Sequence, residues 1–145
     1  MKISTKGRYA LRMLIDLAMH QNDGYIALKD IPARQNISKK YLEQIMPILN
    51  KADVLLTNRG FQGGYRLARN PNQYTVGEIL RITEGSLAPV ACLDHDPNTC
   101  PMSDECITLP VWQGLNEVIT KYLDSITIQD IIDHQAESIG NDYVI

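Results

Sequence analysis

Cysteine is absent from this chain except in one short segment. All three cysteines, Cys92, Cys100 and Cys106, lie in the stretch CLDHDPNTCPMSDEC, and the other positions contain none. An odd number of cysteines in a single cluster does not provide the paired framework of a disulfide-stabilised secreted domain. The segment is therefore predicted to hold reduced thiols.

The chain also lacks a long uninterrupted apolar run. The most apolar stretch, residues 10–19, is interrupted by Arg12 and Asp16, and it is too short and too polar to span a membrane. The opening residues, MKISTKGRYA, have no apolar core of the kind found in secretory signals. We therefore expect a cytoplasmic protein with no membrane partner.

Catalytic motifs are missing as well. The sequence has no Ser-His-Asp set, no phosphate-binding glycine loop and no paired-carboxylate motif in a suitable context. The adjacent glycines Gly63 and Gly64 belong to a predicted hairpin instead. The sequence thus predicts a binding protein and not an enzyme.

Basic residues are scarce in the second half of the chain. Residues 70–145 contain two Lys/Arg and twelve Asp/Glu, whereas residues 1–69 contain twelve Lys/Arg and five Asp/Glu. The halves carry net charges of −10 and +7, within a total of −3. A basic half joined to an acidic half indicates a surface for a polyanion, with an ordinary solvated surface as the simpler alternative.

The basic half has the pattern of a helix-turn-helix. Ser4 can cap a first helix through KGRYALRMLIDLAMHQ, which ends before an Asn-Asp-Gly turn signal. Two short apolar-periodic segments follow, YIALKDIPARQN and ISKKYLEQIMPILNKADV, with a tight break near Asn36 and a second capping serine, Ser38. Pro32 and Pro47 interrupt the regular pattern of these helices.

A hairpin is predicted directly after this motif. Residues 54–57 and 65–68 have the composition of strands, and the tip NRGFQGG between them contains three glycines. Arg59 and Phe61 would project from that tip. A basic hairpin after a basic helix is typical of the wing of a winged helix-turn-helix. The predicted fold class is therefore mainly α with a small β-hairpin wing.

The second half completes the predicted organisation. Thr75 can cap a helix through YTVGEILRITEGS that closes the first domain. The expected division is a DNA-binding domain at residues 1–85, a cysteine-bearing loop at 86–107, a dimerisation helix and a short C-terminal helix at 108–136, and a tail at 137–145. The short final helix is expected to begin at Thr127 and Asp130 and to run through Ile132.

An apolar stripe marks the predicted dimerisation helix. Its members, spaced three or four residues apart, are Val111, Leu115, Val118, Tyr122 and Ile126. A small domain has no internal place for such a stripe, so we expect it to pack against a second copy, with Trp112 as an anchor. Packing within one subunit is the alternative.

These residues resemble a known family. The run SKKYLEQIMPILNKADVLLTNRGFQGGYRLA, followed by TVGEILRITEGSLAPVACL, is similar to the Rrf-type winged-helix transcriptional regulators, the family of IscR, NsrR and CymR. The opening MKISTKGRYALRMLIDLA fits as well, so the resemblance covers nearly the whole chain. It implies a homodimeric repressor that reads a pseudo-palindromic operator in double-stranded DNA, most like the three-cysteine, IscR-like members.

Winged-helix docking suggests which side chains contact that DNA. The predicted contact residues are Lys6, Arg8, Ser38, Lys39, Lys40, Tyr41, Gln44 and Arg59. Ser38 and the lysines are expected on phosphates, Gln44 on a base edge in the major groove, and Arg59 in the minor groove. For Glu43, a hydrogen bond from cytosine, packing and a local charge pair all stay open.

The resemblance also implies a role for the thiols. Cluster-binding members carry three cysteines in the loop before the dimerisation helix, as Cys92, Cys100 and Cys106 do here, which implies an iron–sulfur cluster, 2Fe–2S in preference to 4Fe–4S. Seven residues separate the first two cysteines, more than is usual in IscR-like loops. The family's positions for a fourth ligand hold Leu109 and Arg8, so the fourth ligand is unknown.

Alternatives for the loop and for the function stay open at this point. His95 is the nearest spare donor, and zinc, redox-active thiols or a loop without a ligand are alternatives to a cluster. The leading hypothesis is a DNA-binding regulator whose operator affinity depends on an iron–sulfur cluster. One alternative is a cluster-free regulator of cysteine metabolism controlled by a protein partner such as a cysteine-biosynthesis enzyme. Another is a metal-binding scaffold that does not bind nucleic acid.

Overall fold

Six helices and one two-stranded hairpin make up the computed structural model, which describes residues 2–142. In chain order they are α1 (Thr5–Met19), α2 (Asp30–Gln35), α3 (Lys39–Lys51), β1 (Leu55–Asn58), β2 (Gly64–Leu67), α4 (Val76–Glu84), α5 (Leu109–Asp124) and α6 (Ile128–Asp142). The predicted fold class, mainly α with a small hairpin, is confirmed. Residues 143–145 of the predicted tail lie outside the described residues.

Three helices begin at the hydroxyl caps that the sequence indicates. The Ser4 Oγ accepts the Gly7 N–H at 3.3 Å at the start of α1, and the Ser38 Oγ accepts the Tyr41 N–H at 3.3 Å at the start of α3. The Thr75 Oγ1 accepts the Glu78 N–H at 3.0 Å at the start of α4. Each bond satisfies a backbone donor that the helix itself leaves unpaired.

The helix-turn-helix is built on α1 and closed by a left-handed turn. Asn36, between α2 and α3, has φ 53° and ψ 44°, a conformation that asparagine tolerates better than most residues. The main core is formed by apolar side chains of α1, α2, α3 and the turn before α3, including Met13, Leu14, Leu17, Ile31, Ile37, Leu42, Ile45 and Leu49. Pro47 lies inside α3, which nevertheless continues to Lys51.

The wing is an antiparallel hairpin displaced by one residue from its predicted strands. Its register pairs Leu55 with Leu67 and extends to Asn58 with Gly64. The Val54 N–H is bonded to the Leu49 carbonyl at the end of α3, at 3.0 Å, and the Val54 carbonyl accepts the Ala68 N–H at 3.0 Å, so Val54 links α3 to the base of the hairpin just before the paired strands. The opposite edge of β2 is covered by a bridge from Ile26.

The C-terminal helix is longer than the sequence suggests and packs on the first domain. Thr127 and Asp130 exchange capping hydrogen bonds of 2.9 and 3.0 Å at its start, as expected. Residues 133–139 contain neither proline nor glycine to end the helix, which continues through Gly140 to Asp142. Ile128, its first residue, is fully buried in the main core. The expectation of a short helix that runs through Ile132 and ends before a tail at 137–145 is therefore wrong.

An antiparallel bridge ties the C-terminal helices to the start of α4. The Val76 N–H donates to the Ile126 carbonyl at 2.8 Å, and the Ile128 N–H donates to the Tyr74 carbonyl at 3.0 Å. Ile126 lies beyond the end of α5 and packs with Val76, Leu80 and Leu87. The spacing in the sequence placed Ile126 in the α5 stripe. The structure does not, because α5 ends at Asp124.

No helix within residues 2–142 is both long enough and apolar enough to cross a membrane.

Candidate nucleic-acid interface and cysteine loop

The start of α3 presents a cluster of exposed polar side chains. Lys39, Lys40 and Gln44 are exposed, and Ser38 is exposed at the cap itself. Unpaired backbone N–H groups and the positive end of the helix dipole lie at the same end. The two lysines add full positive charges, so this end of α3 is suited to phosphate groups.

The carboxylate of Glu43 lies near one of these lysines. Its Oε1 is 3.9 Å from the Lys39 Nζ, and both side chains are exposed. An exposed pair four residues apart contributes only about 0.3–0.5 kcal/mol. Of the alternatives that the sequence leaves open for Glu43, the structure contains the local charge pair.

Tyr41 is held against α1 by an aromatic contact. Its ring packs edge to face on Tyr9, with the ring centroids 5.2 Å apart. The Arg12 guanidinium lies over the same Tyr9 ring, 5.6 Å from its centroid, and also donates to the Gln35 carbonyl. The Tyr41 ring therefore positions α3 against α1, which sequence reasoning did not anticipate for this predicted DNA contact.

A buried ion pair joins α1 to α2. The Asp16 carboxylate accepts bonds from the Arg34 Nε and Nη2 at 2.9 and 2.7 Å and from the Gln35 Nε2 at 3.1 Å. Burial raises the pKa of Asp16, but the hydrogen bonds from Arg34 and Gln35 and the Arg34 charge outweigh it, so the pKa lies below its ordinary value. The His20 Nδ1 lies 3.9 Å from the same carboxylate. This network fixes the helix-turn-helix on α1.

The wing is attached to α3 and carries an exposed arginine. The Thr57 Oγ1 of β1 donates to the Asn50 Oδ1 of α3 at 2.9 Å. At the tip, the Gly63 N–H donates to the Gly60 carbonyl at 3.0 Å, and Gly60 has φ 125°, a conformation that side-chain-bearing residues rarely adopt. Arg59 is exposed beside this turn. The tip therefore has a defined position relative to α3.

The start of α1 is joined to the end of α4. The Glu84 Oε1 accepts both the Ser4 N–H at 2.9 Å and the Ser4 hydroxyl at 2.6 Å. Nearby, Arg8 is exposed and donates to the Thr5 Oγ1 at 3.0 Å, while Lys6 is half-buried. Glu84 therefore connects the segment that leads into the cysteine loop with the helix that carries these two predicted phosphate contacts.

The three cysteines lie in a segment with only local hydrogen bonds among the described residues. Cys92, Cys100 and Cys106 are free thiols and half-buried. The loop's bonds join residues two or three positions apart, such as the Cys100 N–H to the Asn98 Oδ1 at 2.8 Å. Within the part of the chain that the structure describes, no three His, Cys, Asp or Glu side chains are close enough to hold a metal ion.

Two polar details of the loop concern sulfur chemistry. The Cys106 Sγ is 3.5 Å from the Thr108 Oγ1, and hydrogen bonds from Thr108 lower the pKa of the Cys106 thiol below its ordinary value. A lower pKa favours the thiolate, which is the form that binds metals. The Asn98 Nδ2 is buried without a hydrogen-bond partner. The loop thus contains a donor amide that lacks an acceptor between two of the thiols.

The apolar stripe of α5 is uncovered in the single chain. Val111, Leu115, Val118 and Tyr122 are all exposed large apolar side chains. The other side of α5 contacts α4, where Arg81 and Asp124 form a bidentate pair at 2.8 and 2.9 Å. Trp112, the expected anchor, is half-buried.

The sequence profile of the Rrf2 family, described as an iron-dependent transcriptional regulator, matches residues 3–134. The chain belongs to the Rrf2 family. Protein rrf2 of Nitratidesulfovibrio vulgaris is 36% identical over 132 residues, which cover 91% of this chain and 87% of that protein. The family places the chain among transcriptional regulators, as the residues quoted above suggested.

Solved structures support the Rrf2 assignment. The structure of T. potens IscR has a TM-score of 0.76 and 38% identity, covering 95% of this chain and 90% of that one. The structure of CymR, the global cysteine regulator of B. subtilis, has a TM-score of 0.75 and 34% identity, covering 92% and 98%. The winged-helix fold of this Rrf2 chain is therefore shared with regulators of both names.

Sequence reasoning missed several residues that organise the interface of this Rrf2 protein. Asp16 gave one signal, a charged residue in the most apolar stretch of the chain, but its partner Arg34 is eighteen positions away. Tyr9 and Glu84 gave no comparable signal, because their partners lie on other helices.

Proposed function

We propose that this Rrf2 protein is a homodimeric repressor that binds an operator in double-stranded DNA, with an affinity that depends on an iron–sulfur cluster in the cysteine loop. The main observation behind the DNA-binding proposal is that α3 and the wing are joined to each other. The exposed cations of α3 and Arg59 belong to elements joined by the Thr57–Asn50 hydrogen bond. The two elements can therefore engage adjacent grooves as one rigid unit.

Dimerisation is proposed from the uncovered stripe of α5. An exposed apolar stripe of this kind loses water contact most simply against its own copy, across a two-fold axis. A two-fold dimer also repeats the recognition helix, which matches the symmetry of a pseudo-palindromic operator. Dimerisation and operator binding therefore support each other.

Lys40 provides the test of the DNA proposal. Lys40→Ala should weaken binding to duplexes of any sequence and reduce the salt slope of the binding constant by about 1, because one phosphate contact is lost. Lys40→Arg is the matched control, since it retains the charge and should retain the slope. Titration by fluorescence anisotropy at several salt concentrations measures both. Unchanged affinity and slope for Lys40→Ala would contradict this docking.

The cluster proposal rests on the chemistry of the donors. Three thiols in one loop, none in a disulfide, form a soft ligand set of the kind that holds iron–sulfur clusters. The unpaired Asn98 amide is a donor of the kind that hydrogen-bonds cluster sulfur. Cys92, Cys100 and Cys106 would hold the cluster, which would supply sensitivity to oxidation. Because the loop's own hydrogen bonds are local, the thiols can be drawn together without breaking hydrogen bonds to the helices.

Anaerobic preparation tests the cluster. Wild-type protein should be brown and contain iron and sulfide, and Cys100→Ala should lose the visible absorption. Ser103→Ala, in the same loop but without a thiolate, should retain it. Holo and apo protein should also differ in operator affinity, because a ligand without differential affinity shifts no equilibrium. Stoichiometric zinc without iron would replace the cluster with a zinc site.

The resemblance to CymR identifies a second candidate. A metal-free wild type that still binds its operator would favour a cluster-free regulator controlled by a protein partner, in keeping with a TM-score of 0.75 to a cysteine regulator. The operator experiment and the metal analysis are therefore both needed to separate the two.

A further inference from the structure

Phe61 is the single phenylalanine of the chain, and it lies at the tip of the wing. Its relative exposure is 104%, so no part of the described structure covers the ring. Aromatic rings of this size dominate cores and interfaces, where they leave water. The fold thus presents to solvent a large apolar group that contributes nothing to its own core.

The turn that carries Phe61 is closed on both sides. The ladder continues to Asn58 and Gly64, and the Gly63 N–H bonds to the Gly60 carbonyl within the tip. A side chain at Gly63 would collide with the Asn58 carbonyl, so this close approach requires glycine. A backbone held in this way loses little conformational freedom when the ring contacts a partner.

The hairpin also has a fixed direction relative to the recognition helix. β1 is joined to α3 by the Thr57–Asn50 hydrogen bond at 2.9 Å. At the other end of the hairpin, the buried Tyr74 hydroxyl donates to the Val54 carbonyl at 3.0 Å. When α3 lies in a major groove, the tip is therefore held beside the same duplex.

The charge of the tip indicates which partner the ring meets. Residues 58–64 contain one arginine and no acidic residue, and Arg59 is exposed two positions before Phe61. The minor groove of a duplex is a surface on which cationic and apolar side chains act together. The negative potential of the groove attracts arginine side chains, and apolar side chains insert between base steps.

Resting on the proposed function, we infer that Phe61 enters the minor groove beside Arg59 and packs against a base step. Pyrimidine–purine steps such as TA and CA open most easily, so the wing favours one of them beneath the ring. This preference requires no hydrogen bond to a base. Phe61 is thus a specificity-determining residue that acts through the deformability of the operator.

The test compares four proteins on two duplexes. The operator is recovered by selection of random-sequence duplexes with wild type, and binding is then measured for wild type, Phe61→Ala, Phe61→Leu and Gln62→Ala. Phe61→Ala should weaken operator binding about tenfold and leave random-duplex binding and the salt slope unchanged. Phe61→Leu should retain most of the affinity. Gln62→Ala, the matched exposed neighbour, should behave as wild type.

A spectroscopic readout reports the base step directly. 2-Aminopurine placed at the flanking step should gain fluorescence when wild type binds and should not do so with Phe61→Ala, because the ring unstacks the base. Equal losses for Phe61→Ala on both duplexes, no loss on either, or no change in fluorescence with wild type would each overturn the inference. In those cases Lys40→Ala would still lower the salt slope. A wild type without salt-dependent binding to any duplex would reject the proposed function itself.

Discussion

The ion pair between Asp16 and Arg34 provides a sharp test of how the helix-turn-helix is held on α1. The Asp16 side chain is 1% exposed and the Arg34 side chain 35% exposed, and they share two hydrogen bonds. Replacing Arg34 with methionine keeps much of the side-chain volume but removes both bonds. The carboxylate is then left buried with Gln35 as its remaining strong donor.

The expected loss follows from burial. Removing one partner of a buried ion pair costs about 3–5 kcal/mol, and water access to Arg34 together with the retained Gln35 bond reduces this to about 2–3 kcal/mol. Arg81→Met is the matched control. Arg81 and Asp124 also form a bidentate pair, but their side chains are 41% and 38% exposed. Loss of this exposed ion pair in Arg81→Met should lower the free energy of unfolding by about 0–1 kcal/mol.

Denaturant unfolding followed by circular dichroism measures both losses, at one protein concentration because the proposed dimerisation would add to the apparent stability. The pH dependence adds a second test. The lowered pKa of Asp16 means that its stabilisation is present above the ordinary carboxyl pKa of about 4 and is lost below it. In Arg34→Met, burial raises the pKa of Asp16, so this variant should lose further stability as the pH rises from about 4. Equal losses for Arg34→Met and Arg81→Met would refute the reasoning.

Three further predictions concern assembly, the wing and the connection to the cysteine loop. Leu115→Asp places a charge in the exposed stripe of α5 and should convert a dimer to monomers in sedimentation at micromolar concentration; a wild type that is already monomeric there would contradict the proposed interface. Arg59→Ala should weaken operator binding by about 1–3 kcal/mol if it occupies the minor groove, and an equal loss on random duplexes would indicate a phosphate contact instead. Glu84→Ala removes the acceptor for both Ser4 donors and should destabilise the fold by about 1–2 kcal/mol in thermal melts, whereas Glu78→Ala, which removes an exposed pair with Arg69, should cost less than about 1 kcal/mol.

Local signals carried most of the fold prediction. Ser4, Ser38 and Thr75 cap the helices that the sequence assigned to them, because each cap is a contact with a residue three positions away. The paired strands begin one residue later than predicted, where the Val54 N–H is bonded to the Leu49 carbonyl of α3 and only the Val54 carbonyl bonds the opposite strand. Such a bond leaves no mark in side-chain composition.

The C-terminal helix shows where periodicity is insufficient. Its start at Thr127 and Asp130 was readable, but its length was not, since exposed residues such as His134 extend a helix without adding to an apolar pattern. Ile126 fitted the spacing of the α5 stripe and yet packs with α4, because a chain reversal after Asp124 removes it from the helix.

The residues of the candidate site could be predicted from the sequence, but the contacts that join them to other helices could not. The exposed lysines of α3 and the three cysteines followed from residue type and position. The contact of Tyr41 with Tyr9 did not, because both rings have polar ends and the partners lie on different helices. The placement of the predicted contacts on DNA and the joining of the thiols stay predictions.

The bridge between Thr75 and Thr127 holds the two ends of residues 76–126 next to each other. The cysteine loop and α5 depart from and return to neighbouring points, joined by a hydrogen bond of 2.8 Å between Val76 and Ile126. The entropic cost of closing a flexible loop grows by only about 0.6 kcal/mol for each doubling of its length. A longer spacing between the cysteines, such as the seven residues between Cys92 and Cys100, is therefore inexpensive. A regulator tethered in this way can change its cysteine segment over evolution while the geometry of its recognition helix stays the same.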